Sequence, residues 1–174
     1  MMNKKFKYDF YRNTGDKYTL IKFICWFIYD YRIRYMFFYR LKKRNILRRL
    51  IMHKMARKYG LEIYNESDEG LYLGHAHNIN VNPDAIIGKR CNIHKGVTIG
   101  QESRGKRKGA PTIGNNVWIG VNSTVVGKIK IGDDVMIAPN SYVNCDVPSH
   151  SIVIGNPCII KHRDNATDKY IINI

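Results

Sequence analysis

From Ile87 onward an aliphatic residue returns every sixth position: Ile87, Ile93, Ile99, then, after one interruption, Ile113, Ile119, Val125, Ile131, Ile137 and Val143. A six-residue period fits neither an α-helical face nor a simple meander, and its regularity marks a solenoid built from one short strand and one corner per hexad. Each anchor is expected to point inward and stack on its equivalents in the neighbouring coils, so that the core grows coil by coil. The residue after the anchor is glycine at 88, 100, 114, 120 and 132, where the backbone has to bend, and Asn or Asp suits the turns. The spacing predicts a mainly β chain with all its anchors buried.

The rhythm fails once, between Ile99 and Ile113, in "GQESRGKRKGAPT". An insertion of this kind loops off one face of a solenoid, and such loops often carry function. This one holds Arg104, Lys106, Arg107 and Lys108; a solvated basic loop with no ligand is the plainer alternative. Counting back from Ile87 gives Val81 and then His75, so the period predicts an imidazole in an anchor slot, inside the stretch "GLYLGHAHNINV".

Composition divides the chain near Gly60. Residues 1–60 hold 17 Lys and Arg against 3 Asp and Glu, a balance of +14, whereas residues 61–174 hold 12 against 11. All six phenylalanines and eight of the twelve tyrosines also lie before Gly60. The expected organisation is therefore a basic, aromatic helical segment over 1–60, a solenoid over 61–163 with its inserted loop at 101–112, and a tail over 164–174. Four cysteines without CxxC spacing indicate neither a zinc ribbon nor a disulfide framework, and a reducing cytoplasm is the simplest home. No secretory signal is readable, and the apolar run 23–29 is far shorter than the ~20 residues of a spanning helix.

The hexads resemble those of the hexapeptide-repeat acyltransferases, and residues 60–163 resemble serine acetyltransferase and the O-acetyltransferases of capsule and O-antigen synthesis in particular. The resemblance implies a left-handed parallel β-helix of three faces. It implies an acetyl-coenzyme A-dependent O-acetyltransferase that needs no metal, with His75, at the matching place in "GLYLGHAHNINV", as general base and Glu62 as its orienting acid; Glu66, Asp68 and Glu69 are weaker candidates. It also implies a coenzyme site formed by Gly100, the loop cations Arg104, Lys106, Arg107 and Lys108, the small residues Gly120, Ser123, Ala138 and Ser141, and Lys161. His77 and Asn78 are expected to touch the acceptor. The coenzyme groove implies a homotrimer. Arg and Lys suit the coenzyme's phosphates as donors, and Lys128, Lys130 and Arg163 are further surface cations.

Two departures bear on the acceptor. The serine-using enzymes carry an aspartate directly before the histidine and a second histidine before the loop proline; this chain has Gly74 and Ala110. The expected acceptor is therefore a sugar hydroxyl, free or lipid-linked, in surface polysaccharide synthesis, with free serine as the alternative and a non-catalytic trimeric module as another. A γ-class carbonic anhydrase-like zinc site from His75, His77 and His94 is disfavoured, because residues 75 and 77 would alternate across a strand.

In the N-terminal segment, 17–41 places Leu20, Ile24, Phe27, Ile28 and Tyr31 on one helical stripe, and 45–59 repeats the pattern with Ile46, Leu47, Leu50, Ile51 and Met55. These helices are expected either to cap the first coil or to lie on anionic lipid, through residues 17–59 at the inner face of the membrane. Nucleic acid is not expected, because no groove-reading motif accompanies the charge.

Overall fold

The computed structural model describes residues 3–41 and 45–174; Lys42, Lys43 and Arg44, part of the proposed 17–59 contact, lie outside the described residues. Four helices come first: α1 (Lys4–Thr14), α2 (Leu20–Tyr29), α3 (Tyr31–Arg40) and α4 (Ile46–Tyr59). The 17–41 pattern is thus two helices. Asp30 separates them because its extended backbone ends α2 while its side chain accepts from the Arg32 N–H and caps α3. The start of the chain, within the basic, aromatic segment expected to be helical, is the helix α1, capped by Asn3.

Fourteen strands follow, nearly all of two or three residues: β1 (Leu61–Ile63), β2 (Tyr72–Gly74), β3 (Ile79–Val81), β4 (Ile86–Ile87), β5 (Asn92–His94), β6 (Thr98–Gly100), β7 (Thr112–Ile113), β8 (Val117–Ile119), β9 (Thr124–Val126), β10 (Lys130–Ile131), β11 (Val135–Ile137), β12 (Tyr142–Val143), β13 (Ser151–Ile154) and β14 (Ile159–His162). They form three parallel sheets, ordered β1-β3-β6-β9-β12, β4-β7-β10 and β2-β5-β8-β11-β13, with β14 closing the last by antiparallel pairing to β13. This is a three-faced β-helix. The nine anchors expected from the repeat are all buried, none more than 3% exposed. They stack in register, Val81 on Ile99 on Val125 on Val143 along the first sheet, for example. Fully burying such a side chain is worth about 1.5–3 kcal/mol.

The first coil breaks the count. Its inward residue on the third sheet is Leu73, paired with Ile93; His75 is not an anchor. The corner joining β2 to β3 is two residues longer than the equivalent corner between β5 and β6, as the pairs Leu73–Ile93 and Val81–Ile99 show. That expansion turns His75 out to solvent while Ala76 fills the interior.

The first coil has no coil beneath it, so its strand edges would expose unpaired backbone groups. Side chains of α1 and α3 satisfy them. Tyr35 Oη meets Leu61 O and the Ile63 N–H, Tyr39 Oη meets Asn65 O and the Ser67 N–H, and Asn13 bridges Leu71 O and the Leu73 N–H. Asp9 accepts from the Gly70 and Leu71 N–H groups. Arg12, fully buried, donates to Gly70 O, to Asn92 Oδ1 and to Ile172 O of the tail. Arg40, almost as buried, pairs with Asp9. Two of the N-terminal cations therefore serve the fold and are closed to an external anion.

The expected apolar stripes do not face the core as a unit. Phe6, Phe10, Ile33, Tyr35 and Met36 are buried, but Leu20, Ile24 and Ile28 of α2 and Ile46, Leu47 and Leu50 of α4 are each at least half exposed. No helix among the described residues is long and apolar enough to cross a membrane.

Candidate active site

His75 is the first residue after β2 and has a positive φ of 50°, a conformation that non-glycine residues adopt infrequently. The turn holding it is fixed from both sides, by Leu73 and Ala76 in the core and by a Lys95 N–H to Gly74 O bond from the coil above. His75 and His77 share this turn and are both exposed, so they do not alternate across a strand. The ring of His77 lies 5.2 Å from that of Tyr31 and 5.5 Å from that of Tyr59, against the helical cap. Asn78 sits under Gly60: its N–H donates to Tyr59 O, and its Cα lies 3.0 Å from where a Cβ on Gly60 would be. The structure thus places these two expected acceptor residues at the junction with α4.

His94 comes closer to the base. It pairs in register with Gly74 across β2 and β5, and its ring lies flat against that glycine. A Cβ at position 74 would overlap Nδ1 and Cε1 and would stand 2.9 Å from Cγ, so only glycine accommodates the ring there. The imidazole is 4.7 Å from the Trp118 ring and 6.1 Å from that of Tyr72, and Trp118 in turn meets Tyr170 of the tail at 5.1 Å. Its Nε2 is buried without a hydrogen-bond partner among the described residues. Burial, and then the nearby His75 charge, push its pKa down to about 4, so the ring is neutral at physiological pH. This contact is not legible from spacing, because an 18-residue coil sets His94 opposite Ala76; only the lengthened corner brings it over Gly74.

Glu62 lies in β1 beside Asn80, and its side chain bonds the Tyr64 phenol. No bond from Glu62 to His75 is found among the described residues. Arg104, Lys106, Arg107 and Lys108 are all exposed on the loop between β6 and β7. Arg107 is partly engaged by Glu102 at 3.1 Å, and Lys108 N–H closes a turn on Gly105 O. Gly100 ends β6 against Val126. Gly120 and Ala138 succeed β8 and β11 on the same corner column as His75, and a Cβ on Gly120 would press on Pro139 N at 2.6 Å. Ser123 and Ser141 are buried, and both hydroxyls donate to Ala138 O. Their backbone groups are buried and bonded within the solenoid as well, Ser123 O accepting from the Thr98 N–H and Ser141 O from the Thr124 N–H, so neither serine is open to the coenzyme as the resemblance implied. Lys161 lies in β14 opposite Ile152. His75 and the basic loop occupy different edges of the prism, the loop leaving from the first sheet toward the second and His75 from the third toward the first. Among the described residues no three His, Cys, Asp or Glu side chains converge as a metal site.

Comparison with known proteins matches residues 110–145 to the family of bacterial transferase hexapeptide repeats. The chain is 34% identical over 120 residues to a serine acetyltransferase of Synechococcus elongatus, covering 68% of this chain and 49% of that protein. With the Staphylococcus xylosus serine acetyltransferase it shares 35% over 125 residues, 71% and 58% of the two chains. Among solved structures, the Neisseria gonorrhoeae serine acetyltransferase in complex with serine superposes with a TM-score of 0.60 at 31% identity, over 75% of this chain and 53% of that one. The chain spans about half the length of the curated relatives it matches.

Proposed function

The solenoid is the left-handed hexapeptide-repeat β-helix of the serine acetyltransferase-like acyltransferases, and from that premise we propose that the protein transfers acetyl from acetyl-coenzyme A to an alcohol, with His75 as general base. The observation that carries this reading is the two-residue expansion that presents the His75 imidazole to solvent at a corner of an otherwise aliphatic prism, while the other exposed ring of the turn, His77, lies against Tyr31 and Tyr59 of the helical cap. An alcohol is a poor nucleophile at neutral pH, and an imidazole titrating near the working pH removes its proton as the oxygen attacks the thioester carbonyl carbon. The new C–O bond forms, the tetrahedral intermediate collapses, the C–S bond breaks, and the imidazolium returns its proton to the departing thiolate. No covalent enzyme intermediate is required.

Acetyl-coenzyme A is the donor in this scheme. The exposed Arg104, Lys106 and Lys108 suit its phosphates, and Ala138, small and half-buried on the same corner column as His75, suits the passage of a slender pantetheine arm, whereas Gly120 is packed under Pro139 and Trp118. Because the loop and His75 lie on different edges, the reading places the site in a groove between copies of a homotrimer, with the loop and the base contributed by neighbours; activity in a monomeric fraction on sizing would remove that arrangement.

For the acceptor, the relatives' names support serine over the sugar hydroxyl expected from the sequence. The sugar reading stands second on a specific observation: positions 74 and 110 carry no ionisable group, and the space beside Gly74 is filled by the neutral ring of His94. Thiol release from acetyl-coenzyme A, assayed with serine and with a panel of free and lipid-linked sugars, separates the two. Turnover of serine alone ends the sugar reading, and turnover of a sugar alone ends the other.

Peripheral membrane contact belongs to the same reading. Leu20, Ile21, Ile24 and Ile28 stand 50–76% exposed on α2, in the segment that carries the +14 excess, and aliphatics edged by cations suit anionic lipid. The protein is expected to sediment with phosphatidylglycerol vesicles at low salt and to remain in solution with phosphatidylcholine vesicles. Equal partition with both would leave the exposed aliphatics to some other use.

A further inference from the structure

We propose that His94 is the residue that selects and holds the acceptor alcohol beside His75, through the ring nitrogen that has no partner in the protein; this rests on His75 being the base. His94 reaches the base by strand register: it pairs with Gly74, the residue immediately before His75, and its side chain leaves the same outer face. The ring takes the volume that any side chain at 74 would need, so Gly74 and His94 work as one unit.

The chemistry of the place points to a small polar ligand. Tyr72 and Trp118 flank the imidazole, and Tyr170 of the tail backs Trp118. Aromatic walls around one hydrogen-bonding atom are the usual make-up of a small-molecule seat. That atom, Nε2, is shielded from water and unpaired among the described residues, and a buried nitrogen left unsatisfied is costly until a partner arrives. A half-turn about the broad χ2 torsion exchanges Nε2 with Cε1 and so brings the nitrogen to the ring edge that lies against Gly74, the residue before His75. A hydroxyl supplies the missing partner, and a hydroxyl is what must lie within reach of His75 for its proton to be removed. Burial of the ring keeps His94 neutral at physiological pH. It therefore meets an alcohol as an uncharged hydrogen-bonding group.

The test compares His94→Phe, which fills the ring volume without nitrogen, with His94→Gln, which restores a polar atom, using whichever acceptor the parent protein acetylates. His94→Phe is expected to raise the acceptor KM by about tenfold or more, the loss of one hydrogen bond plus its unsatisfied partner. The KM for acetyl-coenzyme A and the melting temperature stay near the parent values, and His94→Gln recovers part of the acceptor affinity. An unchanged acceptor KM in His94→Phe overturns the proposal. So does a matched loss of acceptor affinity, coenzyme affinity and thermal stability in both variants, which marks His94 as packing alone. A parent protein that acetylates no alcohol defeats the His75 reading and this one with it, and that result is seen before any variant is made.

Discussion

In His75→Ala, acetyl transfer falls by about 10² to 10⁴-fold, the range that a positioned general base contributes, while coenzyme affinity and the melting temperature hold near the parent values. The side chain is exposed and the turn is built by other residues: Leu73 and Ala76 fill the core, and the Lys95 N–H to Gly74 O bond ties the corner to the next coil. Removing the imidazole therefore takes away chemistry and little packing. Steady-state rates with acetyl-coenzyme A and the accepted alcohol, alongside coenzyme titration by calorimetry, separate the two effects. Full activity in His75→Ala with a matched loss in His77→Ala would move the base to the other ring of the turn, despite its contacts with Tyr31 and Tyr59.

The second large effect is on stability. Asp9→Ala is expected to cost about 3–5 kcal/mol, the usual penalty for leaving one member of a buried ion pair uncompensated. Asp9 is wholly buried and receives Arg40 Nε at 2.6 Å, together with the Gly70 and Leu71 N–H groups at 2.8 and 2.9 Å. Arg40 in turn donates to Ser67 O and Asp68 O. One pair thus joins α1, α3 and the open edge of the first coil. Asp9→Asn keeps an acceptor for the two N–H groups and should lose less, whereas the double variant Asp9→Leu/Arg40→Met removes both charges and should lie nearer the parent than Asp9→Ala. Urea unfolding monitored by circular dichroism gives the comparison. A loss below 1 kcal/mol in Asp9→Ala would mean that the helices contribute little to closing the solenoid.

The parts of the fold that were legible in the sequence are those where one physical requirement repeats. Ile87 to Val143 recur because each hexad must place one aliphatic residue in a core only one side chain deep, and the structure buries every one of them. The first coil departs from the count for the opposite reason. Its neighbour on one side is helical, so its edges are satisfied by Tyr35, Tyr39, Asp9 and Asn13 rather than by another coil, and its corners are free to change length. The count from Ile87 therefore put His75 in a core slot that Leu73 occupies. His75 still emerged as the candidate base, from the resemblance of its surrounding stretch and not from the period.

Charge was legible in amount but not in use. Seventeen cations before residue 61 read as a surface for an anion, yet Arg12 lies in the core clasping the tail and the second coil, and Arg40 lies in the cap. Burial of an individual arginine depends on partners distant in the chain, Asn92 and Ile172 for Arg12, which composition does not reveal. The same holds for His94, whose place over Gly74 follows from a strand register shifted by two residues.

The central claim, direct transfer of acetyl to an alcohol by a base at an exposed corner, is tested most directly by quenching the reaction during turnover and measuring protein and products together by mass spectrometry. The account predicts one O-acetyl ester for each thiol released and protein of unaltered mass. Acetyl carried on the protein in step with turnover, or thiol release that does not depend on any alcohol, would contradict it.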